Sequence, residues 1–282
     1  MHKRIRDMGA AVARFAAGAA VLIAALVVVG TSAARADEEK VPEKKKWEAP
    51  FGGFYSAALT VVSDYAFGGI SQTNRQPAFQ PSLGYRTSSL IEGQNLWFYL
   101  GAWGSNINFA SVGPAIEVDL SLGFKWRTLE NKLSFDFGYI RYTFLGVPAD
   151  LSYNYGEFNF APAYDFGPAQ LGFRIRYSPQ SFGDSGKSWS ERALLSVPLN
   201  FLHVNDDIAL KVYGSVGNQS AERYLRYGIP SSDYWFWQLG FVVSAYGLDI
   251  TVAYTDTSID IAGCGNTTNC QGRFLLGVSK VF

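Results

Sequence analysis

The chain has 282 residues and no net charge, with 17% charged and 16% aromatic side chains, 29 glycines and 2 cysteines. The charge content falls below the roughly one quarter typical of soluble domains, and no basic stripe is present to hold nucleic acid. Low charge, many aromatics and abundant glycine suit short tilted strands against lipid and argue against a helical architecture.

The N-terminus reads as an export signal. His2, Lys3, Arg4, Arg6 and Arg14 make a basic start, and an apolar run follows from Phe15 to Gly30. Ala34 and Ala36 place small side chains where a signal peptidase reads them, so cleavage is expected after Ala36. The alternative, an uncleaved anchor, needs about 20 apolar residues, and the run is slightly short. Loss of residues 1–36 removes five basic groups and one acidic group, which leaves a net charge of −4. A mildly acidic exported chain has no electrostatic reason to bind nucleic acid. Residues 37–52 are charged, lack apolar periodicity and read as a flexible periplasmic leader.

From residue 53 to 282 the chain reads as an all-β, antiparallel, up-and-down transmembrane β-barrel of about twelve strands. The hairpin Ala115–Tyr142 shows the pattern best. Ile116, Val118, Leu120, Leu122, Phe124 and Trp126 alternate with Glu117, Asp119, Ser121, Gly123 and Lys125. After a polar turn, Leu133, Phe135, Phe137 and Tyr139 alternate with Ser134, Asp136 and Gly138. Side chains alternate faces along a strand, so each arm has one apolar and one polar face. In chain order the remaining segments are Phe54–Phe67, Ala78–Arg86, Asn95–Trp103, Tyr155–Tyr164, Gln170–Tyr177, Trp189–Leu199, Ile208–Val216, Tyr234–Ala245, Leu248–Tyr254 and Gly272–Phe282. Asn95–Trp103 carries aromatics on both faces and its orientation is ambiguous.

The connections alternate in length. Gly68–Pro77, Gly104–Pro114, Thr143–Asn154, Ser178–Ser188, Gly217–Asp233 and Thr255–Gln271 are long; Arg127–Asn131, Asp165–Ala169 and Tyr246–Gly247 are short, while Thr87–Gln94 and Pro198–Asp207 on the same side are longer than the rest. A soluble sandwich could use the same strands with the apolar face inward, but it has no reason for this asymmetry. An outer-membrane barrel does. The final Phe282 suits the closing strand and a signal for the barrel-assembly machinery. Tyr55, Tyr65, Tyr85, Trp126, Tyr139, Tyr164, Tyr177, Trp235, Trp237 and Tyr254 fall on the apolar face and read as interfacial girdles among the membrane lipids.

Several segments carry a family resemblance: Val62-Ser63-Asp64-Tyr65, Gly69-Ile70-Ser71-Gln72-Thr73, Pro77-Ala78-Phe79-Gln80, Gly101-Ala102-Trp103-Gly104-Ser105-Asn106, Glu117-Val118-Asp119 and Tyr177-Ser178-Pro179. They resemble the TorF-type porin family of bacterial outer-membrane proteins, over most of Phe54–Phe282. The resemblance implies a porin-like barrel in the outer membrane of a Gram-negative bacterium and supplies no defined substrate. The chain departs from the family pattern at Ala66 and Gly68, where arginines are expected.

No arrangement for catalysis stands out, and neither a metal nor a cofactor is expected. His203 is the single histidine after the signal peptide and reads as a turn residue rather than part of a Ser/His site. Gly183-Asp184-Ser185-Gly186-Lys187-Ser188 lacks the first glycine of a phosphate loop. Cys264 and Cys270 have five residues between them in an exported chain, which points to a small loop disulfide. The polar face is the informative set: Asp64, Gln80, Arg86, Glu117, Asp119, Lys125, Asp136, Glu157, Asn159, Arg174, Arg176, Lys211 and Asp249. These groups are expected to line a lumen and set ion preference, or to pair across it and close it. The expected function is passive diffusion of small hydrophilic solutes and ions; the alternative is a non-conducting structural or adhesive barrel acting through its loops.

Overall fold

A computed structural model describes residues 49–109, 112–202 and 207–282. The signal peptide, its cleavage positions Ala34 and Ala36, most of the leader and His203 lie outside these residues. Twelve strands form one closed antiparallel barrel. In chain order the strands are β1 (Phe54–Val62), β2 (Ala66–Phe67), β3 (Ile70–Ser71), β4 (Ala78–Arg86), β5 (Asn95–Phe109), β6 (Gly113–Thr128) and β7 (Leu133–Leu145). They continue as β8 (Tyr155–Asp165), β9 (Gln170–Ser178), β10 (Ser188–Pro198), β11 (Ile208–Ala221), β12 (Asp233–Ala245), β13 (Leu248–Thr257) and β14 (Arg273–Val281). Sequential neighbours pair around the ring, while β2 and β3 pair only with each other. A single helical turn, α1 (Tyr224–Tyr227), lies between β11 and β12.

The seam between β1 and β14 closes the ring in the register Ala58↔Val281 to Val62↔Gly277. Phe282 extends it: its amide donates to the Ala57 carbonyl at 2.8 Å. Closure removes the two free edges an open sheet would have. The alternation in the sequence becomes alternation of environment. Leu120, Leu122, Phe124, Phe137, Phe173, Leu239 and Leu276 all point outward and are exposed. An apolar belt of this extent cannot face water, and a bilayer is the solvent it fits.

Both ends of the barrel sequence meet the short turns at one rim. Tyr246 and Gly247 both take positive φ (52° and 75°), as a two-residue type I′ hairpin turn requires. The opposite rim carries the longer connections, with one correction. The segment 104–114 is not a long loop, because β5 runs on to Phe109 and β6 begins at Gly113. Likewise β7 reaches Leu145, β11 reaches Ala221 and β13 reaches Thr257. Strands of 15 and 16 residues, as in β5 and β6, exceed the 9–11 or so needed to cross a bilayer, so their ladders stand above it at this rim.

The second correction concerns the first predicted strand. It does not continue outward-facing to Phe67. The chain bends at Ser63 and Asp64, and the β2–β3 hairpin folds into the barrel. Tyr65, expected in the lipid-facing girdle, therefore points inward, with its ring 5.3 Å from Trp103.

Candidate functional site in the barrel lumen

The inner face divides into two halves along the axis. The half nearest the long-loop rim is packed. Phe67 of the hairpin reaches Tyr142 on β7, with ring centroids 6.1 Å apart. Around them lie Ile107, Ile140, Phe144 and Tyr155, with Phe109, Tyr153 and Phe182 packed on top. On the other side, Tyr234, Phe236, Ile229, Ile259 and Cys270 form a second cluster beneath Tyr224 and Tyr227 of α1. The hairpin tip bridges the two. Gly68 and Gly69 have φ of +53° and +78°, and a Cβ on Gly69 would meet Thr257, Asp256 and Phe236 within 3.1 Å. A Cβ on Gly68 would run into the Tyr234 hydroxyl. The tight approach accounts for glycine, where the family resemblance leads one to expect arginine.

A buried polar network fixes the hairpin. Asp64 is 5% exposed and pairs with Arg273, the first residue of β14. Ser71 and Thr73 donate to the same carboxylate at 2.5 and 2.7 Å. Arg273 Nη1 donates to the Gly69 and Asn269 carbonyls at 2.9 and 3.1 Å. Asn108 of β5 and Ser71 of β3 add backbone bonds that tie the hairpin to the wall and to the β13–β14 connection. That connection is itself closed by a disulfide between Cys264 and Cys270, with Cα atoms 5.9 Å apart.

The half nearest the short-turn rim is hollow, its wall carrying charged groups on one side and the apolar Tyr213, Val242, Ala253 and Leu275 on another. A cavity of about 600 Å³ runs from beneath the hairpin toward that rim. Its lining includes Asp64, Gln80, Asp119, Lys125, Asp136, Arg174, Arg176, Lys211 and Asp249. Glu117 and Glu157, expected to border water, are instead held in the packed half at 3% and 2% exposure. The Tyr65 hydroxyl donates to Glu117 at 3.3 Å. The Tyr142 hydroxyl donates to Glu157 at 2.8 Å and accepts from Arg176 at 2.9 Å, and Arg176 lies 3.6 Å from Glu157. Arg86 faces inward at the short-turn rim, its guanidinium over the Phe54 and Trp97 rings, outside the cavity lining. Asn159 donates to Asp136 at 3.3 Å.

In the hollow half, Lys125 lies 3.3 Å from Asp136, and both keep about a quarter of their side-chain exposure (27% and 22%). Tyr99 lies across Gly123 and Gly138, which face each other in register, and donates to Asp136 at 2.8 Å. A Cβ on either glycine would strike the Tyr99 ring or hydroxyl. Asp249, near the Tyr246–Gly247 turn, is exposed. The Lys125–Asp136 pair and Asp249 are thus less buried than Glu117 and Glu157, while Tyr213, Val242 and Ala253 form a buried apolar cluster on the opposite wall of the same half.

Three cations not expected in the lumen face inward: Arg127 on β6, over the Trp97 ring, Arg192 on β10 and Arg273 on β14. So do Phe236 on β12 and, on the ambiguous β5, Trp97, Tyr99 and Trp103, whereas Tyr213 on β11 lies on the polar side of its segment with Lys211. Among the described residues no group of three or more His, Cys, Asp or Glu is placed to hold a metal ion. The phosphate-loop-like segment is a largely buried turn that runs directly into β10, with no α-helix after it. Its Asp184 is paired with Arg223 at 3.0 Å and with Arg226.

A family model described as "Bacterial protein of unknown function (Gcw_chp)" matches residues 47–282, the barrel and the last residues before it. The chain belongs to the Gcw_chp family. The match carries this description and not the TorF-type designation of the sequence resemblance. No curated protein matches the Gcw_chp chain by sequence. Among solved structures it is similar to a NanC porin at 13% identity and a TM-score of 0.48, covering 79% of this chain and 98% of that one. A KdgM porin matches at 8% identity and a TM-score of 0.47, covering 80% and 99%. LpxR from Salmonella typhimurium matches at 9% identity and a TM-score of 0.43, covering 80% and 99%.

Proposed function

We propose that this Gcw_chp barrel is an outer-membrane channel for small hydrophilic solutes and ions, narrowed from within by the β2–β3 hairpin. The observation that carries the reading is the cavity inside a closed barrel, lined in part by charged groups of which Lys125 and Asp136 keep about a quarter of their side-chain exposure. A purely structural barrel of this size has no need to keep Arg174, Asp119 and Lys211 around a hollow, because filling a small barrel with apolar side chains is cheaper. The outward apolar belt supports a bilayer setting. The export signal, with residues 1–36 removed and 37–52 left as a leader, supports the outer membrane of a Gram-negative bacterium. The short-turn rim, which carries both ends of the barrel, would then face the periplasm, and the closing strand with Phe282 would meet the assembly machinery. No enzymatic role enters this reading.

The test is conductance of the purified protein in planar bilayers, alongside a variant in which residues 65–76 are replaced by a short Gly/Ser linker. A channel shows small steps that grow several-fold when the hairpin is removed. A second reading, a non-conducting barrel acting through its surface loops, draws support from the aromatic packing at the long-loop rim. Silence from both proteins would favour it.

A further inference from the structure

We infer that the β9–β10 wall of the cavity is a binding site for a small carboxylate or phosphate anion, held between Arg174 and Arg192. The two residues are direct cross-strand partners in the β9–β10 register, and both line the cavity. Partners of this kind have Cβ atoms about 5 Å apart, and two like charges placed so are mutually destabilising. Neither guanidinium makes a salt bridge among the described residues, because the nearby carboxylates are engaged elsewhere. Glu157 serves Arg176, Asp136 serves Lys125, and Asp64 serves Arg273. Asp119, the carboxylate with an unpartnered oxygen, stands on β6, three strands round the ring from β9.

The surroundings orient the pair toward the hollow. The Arg192 guanidinium rests on the Phe236 ring at 4.7 Å. That ring lies over Gly217, the β11 partner of Arg192, where a Cβ would collide with it. Stacking holds the plane of Arg192 and leaves its N–H edge free for an acceptor. Arg174 Nε is buried without a hydrogen-bond partner, as is Ser215 Oγ on the neighbouring β11, both on the cavity wall. Two guanidiniums without a salt bridge, with an orphaned hydroxyl on the strand next to Arg192, form a donor set that the described side chains leave short of acceptors. Planar guanidinium forks match carboxylate and phosphate oxygens in pairs, and a cavity of this volume admits a small polyatomic anion with attendant water.

The binding rests on this geometry; its consequence, selection of anions during passage, rests on the channel reading. The test uses the full mature barrel in detergent, titrated calorimetrically with sodium succinate and, separately, sodium phosphate at constant ionic strength. The same protein is measured in bilayers under a tenfold KCl gradient. Saturable binding of at least one probe is expected, weakened at least tenfold in R174Q/R192Q, whose folding is checked by heat-modifiable gel mobility. Binding of succinate but not phosphate assigns the site to carboxylates, and the reverse assigns it to phosphates. The R174K/R192K variant keeps the charge without the fork; should the glutamine variant fail to fold, lysine replacement must still weaken binding several-fold. No binding of either probe, or binding unchanged in both variants, overturns the inference. Binding without conductance keeps the site and sinks the channel; conductance without binding does the opposite.

Discussion

The two halves of the lumen are built from the same strands yet obey different rules. Toward the long-loop rim, inward positions carry Tyr142, Tyr155, Phe144, Phe236 and Tyr234, and the charges between them are held in partnered networks. Toward the short-turn rim, inward positions carry Lys125, Asp136, Arg174, Lys211 and Asp249 around a hollow. A buried charge is costly unless paired and hydrogen-bonded, whereas a hydrated one is not. On the proposed channel reading, the packed half would act as a closure, and the hollow half as the place where a solute is held or sorted. The β2–β3 hairpin sits at the boundary, so breaking its attachment is the most direct way to erase the difference between the halves.

The largest effect is expected at Asp64 and Arg273. Arg273→Leu leaves the Asp64 carboxylate buried at 5% exposure with only Ser71 and Thr73 as donors. Breaking one side of such a pair costs about 3–5 kcal/mol. The barrel ladder itself is untouched, so the strain should release the hairpin rather than unfold the protein. Single-channel recording should show larger or noisier steps, and limited proteolysis should newly cut between 65 and 76. A double Asp64→Asn, Arg273→Leu variant should be milder than Arg273→Leu alone. If the two behave alike, the pair is not what holds the hairpin.

Next in size is the covalent closure at the same end. The Cys264–Cys270 disulfide closes a loop whose ends are six residues apart in sequence. Loop-closure entropy for so short a loop corresponds to about 2 kcal/mol. Cys264→Ser with Cys270→Ser should loosen the β13–β14 connection, whose Asn269 and Gln271 carbonyls accept from Arg273. Hydrogen exchange should then rise at residues 258–272 and at the hairpin, but not at the short-turn rim. Exchange rising equally at both rims would mean that the halves are not separable.

How much of this division was written in the sequence depends on the residue. The β6–β7 arms were legible because Ile116 to Trp126 alternate strictly with polar partners, and one rule decides both faces. β5 was not, because Trp97, Tyr99 and Trp103 face inward while Leu96, Phe98 and Leu100 face out. Period two separates faces but cannot say which is lipid when both are apolar. The infolded hairpin gave only two local signals. One was the Gly68-Gly69 pair at its turn, and the other a lone Asp64 in an apolar segment whose partner lies 209 residues away. Arg192 could have been found by writing out the polar residues opposite Ala193 and Leu195, whereas the segment was judged by its apolar face alone. The emptiness of one half and the fullness of the other depend on where loops fold, which no strand-level pattern records.

A smaller effect should come from Tyr142→Phe. Its hydroxyl donates to Glu157 and accepts from Arg176, so the substitution removes one hydrogen bond from each charge but leaves their 3.6 Å contact. Leaving buried polar groups short of a partner costs about 1–3 kcal/mol, and the remaining ion pair should keep the loss near the lower end. Urea unfolding from detergent micelles measures it. The ring itself should stay, stacked on Tyr155 at 4.5 Å. Conductance is therefore expected to be nearly unchanged, since the contact lies in the packed half.

The smallest stability effect, with a clear functional one, is expected for Lys125→Gln in the hollow half. The Lys125–Asp136 pair keeps about a quarter of its side-chain exposure (27% and 22%), and hydrated pairs of this kind contribute about 0–1 kcal/mol. Tyr99 and Asn159 continue to donate to Asp136, so its carboxylate stays anchored without the lysine. The urea midpoint should barely move. Removing one positive charge beside the cavity should nonetheless shift the reversal potential under a salt gradient toward cations, by an amount that falls as salt rises and screening shortens. Tyr142→Phe and Lys125→Gln thus predict opposite dissociations, stability without selectivity and selectivity without stability. Observing the same pattern for both would remove the distinction between a packed closure and a hydrated sorting wall.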